Sequence, residues 1–392
     1  MKQTIYIYSQ QQDTLDFVTL GMLNVDNTVG KWSYSSKLSS CFIPDHVHYP
    51  CEQHEYIVST NSGIPCFIVD LMPDAWGKSL LKESSTPLDY LINSPNGDRF
   101  GNLIIGDQRR PSKQHAFEKF HNLDVLPSFI EFVDQFQSNQ FVDAKALSRF
   151  KTALGGAKPK LTVQKDHTLY VVKPSDRAID IATIESICLE FVKAKGMHIC
   201  DTTLEKVEAN GQIRTILLLK RFDRIFDLDL QRYRRIPTLS ALSLLNTTWL
   251  PRDADGWSYP QLAQAMVQFN IPISDIHELY KRMILNALIG NDDDHPKNHA
   301  FYYVDQQWRL APLYDVVPNL EFHPTRLAMK IGTQAEVINR ENLLSMHDAF
   351  CLTLDEATLI IDEVYSWKDE IQAIFYKTLN DSDYALVQRA LN

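Results

Sequence analysis

Gly290-Asn291-Asp292-Asp293-Asp294-His295-Pro296-Lys297-Asn298 is the stretch on which the reading of this chain turns. Three consecutive carboxylates repel one another, so a loop that holds them is suited to supplying a cation, a proton acceptor, or both. A solvated acidic loop is the plain alternative. Asn298 adds a neutral oxygen ligand five residues after Asp293. The mid-loop glycine and terminal glutamate of a calcium EF-hand are missing at the required offsets. Upstream, Ile276, Leu279, Tyr280, Met283, Ile284, Ala287 and Leu288 recur at helical spacing. They predict a helix that ends at Gly290, with Asp275 as its cap and Glu278 completing a capping box. Downstream, the segment Trp308 to Val317 holds a short apolar strand with Asp315 after it, an ordinary capping or turn Asp being the alternative. An acid and an Asn on one loop, then an Asp after the next hairpin, suit magnesium-dependent phosphoryl transfer. One Asp accepts the substrate hydroxyl proton, while the Asn and the second Asp hold magnesium against nucleotide phosphates.

Farther upstream, Gly155-Gly156-Ala157-Lys158-Pro159-Lys160 opens a hairpin. Glycines let backbone amides approach phosphate oxygens and the lysines add charge, although the spacing is not that of a Walker A loop. An ordinary glycine-rich turn is the alternative. Strands are predicted over Leu161 to Val163 and Leu169 to Val172, the second closing on Lys173, with Glu185 on the next helix as an ionic partner for that lysine. Ile181, Ile184, Ile187, Cys188, Phe191 and Val192 share one face of that helix, and Ile213 to Leu219 reads as a buried strand. Other helices are expected over Ala75 to Lys82, Phe129 to Phe136, Ala144 to Thr152 and residues 340–391, with strands over Thr4 to Tyr8 and Gly101 to Ile105. Strands first and helices afterwards make an α+β arrangement, which in a two-lobed protein leaves a cleft between lobes. The polar stretch from Asp107 to His121 marks an expected domain boundary.

The 392 residues exceed one small module, and 44% apolar with 22% charged residues is ordinary globular usage. A formal charge of −10 makes the chain a poor independent binder of nucleic acid, since non-specific affinity comes from neutralising phosphates. The stretch from Lys220 to Arg235 is locally basic and is expected to be a solvated hairpin. No run is long and apolar enough for a signal peptide or membrane span. Cys41, Cys51, Cys66, Cys188, Cys200 and Cys351 form no CxxC pair, so reduced, mostly buried thiols in a cytoplasmic protein are expected.

Six of these segments, in order, resemble the HipA-type serine/threonine kinases, the toxin half of bacterial toxin–antitoxin pairs. Asp70-Leu71-Met72-Pro73-Asp74-Ala75-Trp76-Gly77 is similar to the family's D-x-L-P-D-x-W-G segment, and Arg99-Phe100-Gly101-Asn102-Leu103 to its R-x-G-A-L strand. Gly155 to Lys160 resembles GGARPK, and Arg221-Phe222-Asp223-Arg224 matches RFDR. Asn291 to Asn298 matches N-x-D-x-H-x-K-N, and Tyr314-Asp315 the YD that replaces the DFG of ordinary kinases. The resemblance implies a two-lobed protein-kinase-like fold: an N-terminal α+β accessory domain over residues 1–110, a kinase N-lobe with the glycine-rich loop over 111–222, and a helical C-lobe over 223–392. It implies ATP and Mg as cofactors. Asp293 would be the proton acceptor, with His295 beside it in the active loop, and Asn298 and Asp315 would be the metal ligands. ATP would be held by Gly155, Gly156, Ala157, Lys158, Lys160, Lys173, the main chain of Lys220, Arg221 and Phe222, and by His295, Lys297, Asn298 and Tyr314.

The implied substrate is a Ser or Thr hydroxyl of a bacterial protein, with an aminoacyl-tRNA synthetase as the family's best-known type of target. The implied partner is a small helix-turn-helix antitoxin, through which alone DNA would be reached. Two departures stand out. Ala153 occupies the place nearest the serine at which several family members phosphorylate themselves, leaving Thr152 and Ser148 as nearby hydroxyls. Lys220 stands where an acidic residue is usual. Two other readings are a small-molecule hydroxyl kinase and a catalytically silent co-repressor bound to an antitoxin.

Overall fold

The structure is a computed structural model describing residues 2–36, 44–249 and 256–391. It divides into two compact units, Met1–Pro174 with Glu205–Leu239, and Ser175–Leu204 with Ser240–Asn392. Strands lead and helices follow, so the α+β class expected from the pattern is the class observed.

The first unit holds two five-stranded sheets. In one, β1 (Lys2–Gln10), β2 (Phe17–Asp26), β3 (Val29–Tyr34), β4 (Glu55–Val58) and β5 (Leu103–Gly106) run in the order β4-β3-β2-β1-β5. Strand β5 starts two residues later than its apolar run suggested, because Gly101 sits at φ +72° and donates its N–H to the Asp223 carboxylate at 2.9 Å. In the other, β6 (His121–Asn122), β7 (Leu161–Lys165), β8 (Thr168–Pro174), β9 (Thr202–Ala209) and β10 (Gln212–Lys220) run β6-β7-β8-β10-β9. The polar stretch around residues 107–121 lies inside this unit.

Helices α1 (Cys66–Val69), α2 (Ala75–Ser79), α3 (Pro87–Asn93), α4 (Leu126–Gln137) and α5 (Ala144–Arg149) pack around these sheets. Helix α2 stops short of Lys82 because its last amides turn back three residues, Leu80 to Gly77 and Leu81 to Lys78, which tightens the end. Helix α5 stops at Arg149. Phe150 then enters the core, and the Thr152 hydroxyl accepts the Leu154 N–H in a local turn. Trp76, Phe129, Phe132, Phe150, Val163, Val172 and Leu218 belong to one buried cluster.

A short hairpin, β11 (Arg224–Asp227) and β12 (Arg232–Arg235), overturns the expectation of a solvated basic segment. Arg221, Arg224 and Arg235 are at most 5% exposed. The Arg221 guanidinium meets Asp223 through Nε and Nη2, both at 2.9 Å, and Arg224 Nη1 lies 2.6 Å from the same carboxylate. Arg235 pairs with Glu118, while Arg232 and Arg234 pair with Asp16 and Asp227. Arg221 and Arg224 also donate to the Arg99 carbonyl, so the two arginine-containing motifs lock onto each other. The arginines expected in solvent are instead paired with carboxylates within the fold.

Strand β13 (Thr238–Ser240) carries the chain toward the second unit. There, α6 (Ile181–Ala194), α7 (Ala241–Leu244), α8 (Tyr259–Gln268), α9 (Ile273–Ile289), α10 (Arg340–Leu344), α11 (Leu354–Tyr365), α12 (Lys368–Thr378) and α13 (Asp381–Leu391) accompany the hairpin of β14 (Ala300–Val304) and β15 (Gln307–Leu310). Helix α9 ends as its pattern predicts, at a left-handed Gly290 (φ +69°) where a Cβ would lie 2.8 Å from the Ala390 carbonyl. Its start is a correction. Pro272 occupies the cap and Asp275 makes no cap bond. Instead Asp275 accepts from Arg309 Nε and Nη2, each at 2.8 Å, and from the Leu310 N–H, tying α9 to β15. Cys66, Cys188 and Cys200 are buried, Cys51 is half-buried and Cys351 exposed, while Cys41 lies outside the described residues. Among the described residues no helix is long and apolar enough to cross a membrane.

Candidate active site

In the first unit the glycine-rich loop is held by a motif that the sequence reading left without a role. Asp74, 7% exposed, accepts the Gly156 N–H at 2.9 Å from 82 positions away. The Trp76 N–H donates to the Gly156 carbonyl at 3.2 Å, and the Trp76 indole to the Lys160 carbonyl at 3.3 Å. Gly77 lets this clamp close, since a Cβ there would lie 2.7 Å from the Thr152 carbonyl. Gly156 has φ +95°, and a Cβ on it would come 2.1 Å from Lys160 Nζ. Gly77 on α2 and Gly156 in the loop therefore each answer a local demand, close approach at the first and a left-handed backbone at the second. Lys160 is buried, whereas Ala157 and Lys158 are exposed at the tip. Of the two hydroxyls near this loop, Thr152 is 0% exposed and Ser148 is exposed on α5.

Lys173 lies one residue from the end of β8, paired in register with Leu217 of β10, and is half-buried. Lys220 is exposed at the end of β10. The Arg221 N–H is committed to the Leu169 carbonyl at 2.8 Å, so main-chain contacts to a base would fall to Lys220 or Phe222. The Phe222 ring lies 5.8 Å from that of Phe100.

In the second unit the acidic loop follows directly from the αL turn at Gly290. Asn291 is buried, its N–H bonded to the Asn286 carbonyl at 2.9 Å and its Nδ2 to Asn286 Oδ1 at 3.0 Å. The three carboxylates then take three different environments. Asp292 accepts both bonds of Asn319 Nδ2 at 3.0 Å. Asp294, 2% exposed, sits with Oδ1 2.8 Å from Nε2 of the equally buried His299. Asp293 alone among them is exposed. Its carbonyl accepts the His295 N–H at 3.0 Å and Asn298 Nδ2 at 2.8 Å. With the Asn298 nitrogen turned onto the loop, its Oδ1 faces the opposite way.

The second turn is tied to this loop. The Tyr314 hydroxyl donates to the Lys297 carbonyl at 3.3 Å, across 17 positions. Leu313 is pinned by bonds to His198 and Cys200, and Asp315 follows in the left-handed region at φ +60°. The Asp315 N–H donates at 3.0 Å to Oε1 of Glu185, which is 4% exposed on α6. Glu185 was expected as an ionic partner of Lys173; its bond to Asp315 was not legible in the sequence. Among the described residues no three His, Cys, Asp or Glu side chains form a metal cage. Asn298 and Asp315 offer an amide and a carboxylate oxygen. Such an oxygen-only set with few protein ligands suits magnesium, which keeps several waters and takes other oxygens from phosphates.

A family described as the HipA-like C-terminal domain matches residues 152–371, more than half of the chain. The chain belongs to this HipA-like family. Among curated relatives, Toxin YjjJ of Escherichia coli (strain K12) is 24% identical over 70% of this HipA-like chain and 64% of its own length. A provisionally named kinase, Y4mE of Sinorhizobium fredii (strain NBRC 101917 / NGR234), is 27% identical over 54% of the chain and 50% of its own length. The matches thus span between half and two thirds of those relatives. A chain from the Shewanella oneidensis MR-1 toxin–antitoxin complex of HipA, HipB and operator DNA superposes with a TM-score of 0.69 at 16% identity, covering 97% of this chain and 94% of that one. At that identity the likeness establishes a shared fold.

Proposed function

We propose that this HipA-like chain is an ATP- and magnesium-dependent serine/threonine protein kinase of toxin type, acting in the cytoplasm on a bacterial protein. The observation that carries the reading is the construction of the second unit. One exposed carboxylate, Asp293, shares a hydrogen-bonded loop with Asn298, and that loop is tied through Tyr314 to the turn presenting Asp315. Asp293 takes the proton from the attacking hydroxyl. The oxygens of Asn298 and Asp315 hold magnesium, which when bound neutralises phosphate charge during transfer. Lys297 and His295 shape the loop, and Lys297 contacts phosphate. In the first unit, amides of the Gly155 to Lys160 loop and the Lys173 ammonium bind nucleotide phosphates, with Asp74 and Trp76 keeping the loop in place. Main-chain groups of Lys220 and Phe222 hold the adenine edge.

An aminoacyl-tRNA synthetase is the target type proposed for it. The partner proposed is a small helix-turn-helix antitoxin, in keeping with the complex that the HipA fold forms in Shewanella oneidensis. That partner makes the DNA contact, since the arginines of residues 220–235 are spent on internal carboxylates.

The test is incubation of purified protein with radiolabelled ATP, magnesium and cell lysate. Labelled protein bands are expected, and Asp293→Asn should reduce labelling about 10²- to 10⁴-fold, as loss of a general base does. Asp315→Asn should abolish it while leaving the unfolding transition in place. Label entering only small molecules would replace this reading with a small-molecule kinase. Full activity in a folded Asp315→Asn protein would remove the metal assignment.

A further inference from the structure

Beside the acidic loop lies an aromatic clasp to which neither the motifs nor the comparisons assign a role. Lys297 Nζ sits 4.4 Å from the ring centroid of Trp249. The His295 ring meets the same indole edge-on at 4.8 Å and 83°. Trp249 also stacks on Trp257, with centroids 5.2 Å apart and planes 22° apart, and the His295 ring lies 6.4 Å from that second indole as well. Trp257 is the fixed member: 5% exposed, its indole N–H bonded to the Thr248 carbonyl at 3.2 Å and its carbonyl to the Lys330 N–H at 2.9 Å. Gly256 permits this approach, because a Cβ there would lie 2.2 Å from Thr247 Oγ1. Trp249 is therefore stacked on a buried anchor, and it meets two side chains of the loop that carries Asp293 and Asn298.

We infer that Trp249 is a positioning residue for that loop, holding the Lys297 ammonium on its indole face. The Lys297 carbonyl is already held by Tyr314, so the clasp restrains the side chain at its other end. A cation over an aromatic face is attracted by the ring quadrupole, most strongly by tryptophan. A four-carbon lysine stem is otherwise free to sample many rotamers, and a restrained ammonium meets a phosphate without that loss of freedom. The role of Lys297 at phosphate rests on the kinase reading; the clasp itself does not.

Two measurements separate these. In phosphotransfer assays Trp249→Leu is expected to raise the KM for ATP roughly 2- to 30-fold, the range of one cation–π contact, with a smaller change in kcat. Trp249→Phe, which keeps a weaker π face, should recover part of that loss. In a Lys297→Met background Trp249→Leu should add little. Equal defects in the Leu and Phe variants, or a full additional effect in the Lys297→Met background, would overturn the inference. The second measurement is a double-mutant cycle for Trp249 and Lys297 in urea unfolding, which needs no activity. Coupling there with no phosphotransfer by the wild type would sink the kinase reading and keep the clasp, whereas additive effects would sink the clasp. If Trp249→Leu does not fold, Trp249→Phe with and without Lys297→Met carries both tests.

Discussion

Glu185 offers the sharpest test of how the second unit is built. Its carboxylate is 4% exposed and accepts the Asp315 N–H at 3.0 Å, and Asp315 sits at φ +60°. A non-glycine residue in that region costs about 1–3 kcal/mol and persists only where its surroundings enforce it. A hydrogen bond to a charged group contributes about 1.5–3 kcal/mol, enough to offset that cost. Glu185→Ala removes the acceptor, so the conformer presenting Asp315 should become roughly 10- to 150-fold less favoured. Magnesium-supported phosphotransfer should fall by that factor, and the magnesium needed for half-maximal rate should rise. Glu185→Gln keeps an acceptor oxygen and loses the charge. Neutral hydrogen bonds are about half as strong, so a loss of roughly 3- to 12-fold is expected. The assay is initial rate against magnesium concentration at saturating ATP, with urea unfolding to verify that each variant folds. Wild-type magnesium dependence in Glu185→Ala would refute the reasoning. Equal defects in the Ala and Gln variants would show that charge, as in an ionic pair with a lysine, matters and the bond to Asp315 does not.

The remaining predictions concern the first unit. Asp223→Ala would leave Arg221 and Arg224 buried beside no carboxylate of their own motif and remove the acceptor for the Gly101 N–H. Breaking a buried pair this way should destabilise the protein by about 3–5 kcal/mol, read as a lowered urea midpoint. A midpoint within error of wild type would count against the interlock of the two arginine motifs. Burial pushes the Asp45 carboxyl up to about 6, with Asp70 adding to the rise and His48 opposing it. The folded state then holds a proton that the unfolded state has released, so stability should fall as pH rises from about 4 to about 6 and level off above. The loss is on the order of 3 kcal/mol, and Asp45→Asn should remove that slope from urea midpoints measured across the interval. An unchanged slope in the variant would assign the effect to another group.

Local chemistry was readable where residue and partner lie close along the chain. Gly290 ends α9 because a left-handed turn was needed after an apolar stripe, and both halves of that signal are adjacent in sequence. Strand β1 and helix α6 follow from period and β10 from a continuous apolar run, and the turn from Asp293 to Asn298 closes on the Asp293 carbonyl. The misreadings have the opposite character. Asp275 looked like a cap because its true partner, Arg309, is 34 positions away. The basic stretch looked solvated because Asp223 is only one of its acids; Glu118 and Asp16 approach from distant segments.

From the sequence alone came the family, the α+β class, and the candidate oxygen-bearing side chains, since residue type, period and short spacing are properties of the chain itself. Tertiary structure decided which carboxylate of three stays exposed, that Asp74 clamps the glycine loop, that Glu185 holds Asp315 from 130 positions away, and that Trp249 backs Lys297. The physical reason is common to all four. Burial and hydrogen-bond partnership are set by whatever the fold brings alongside, and a polar group carries no mark of its distant partner until packing excludes water around both.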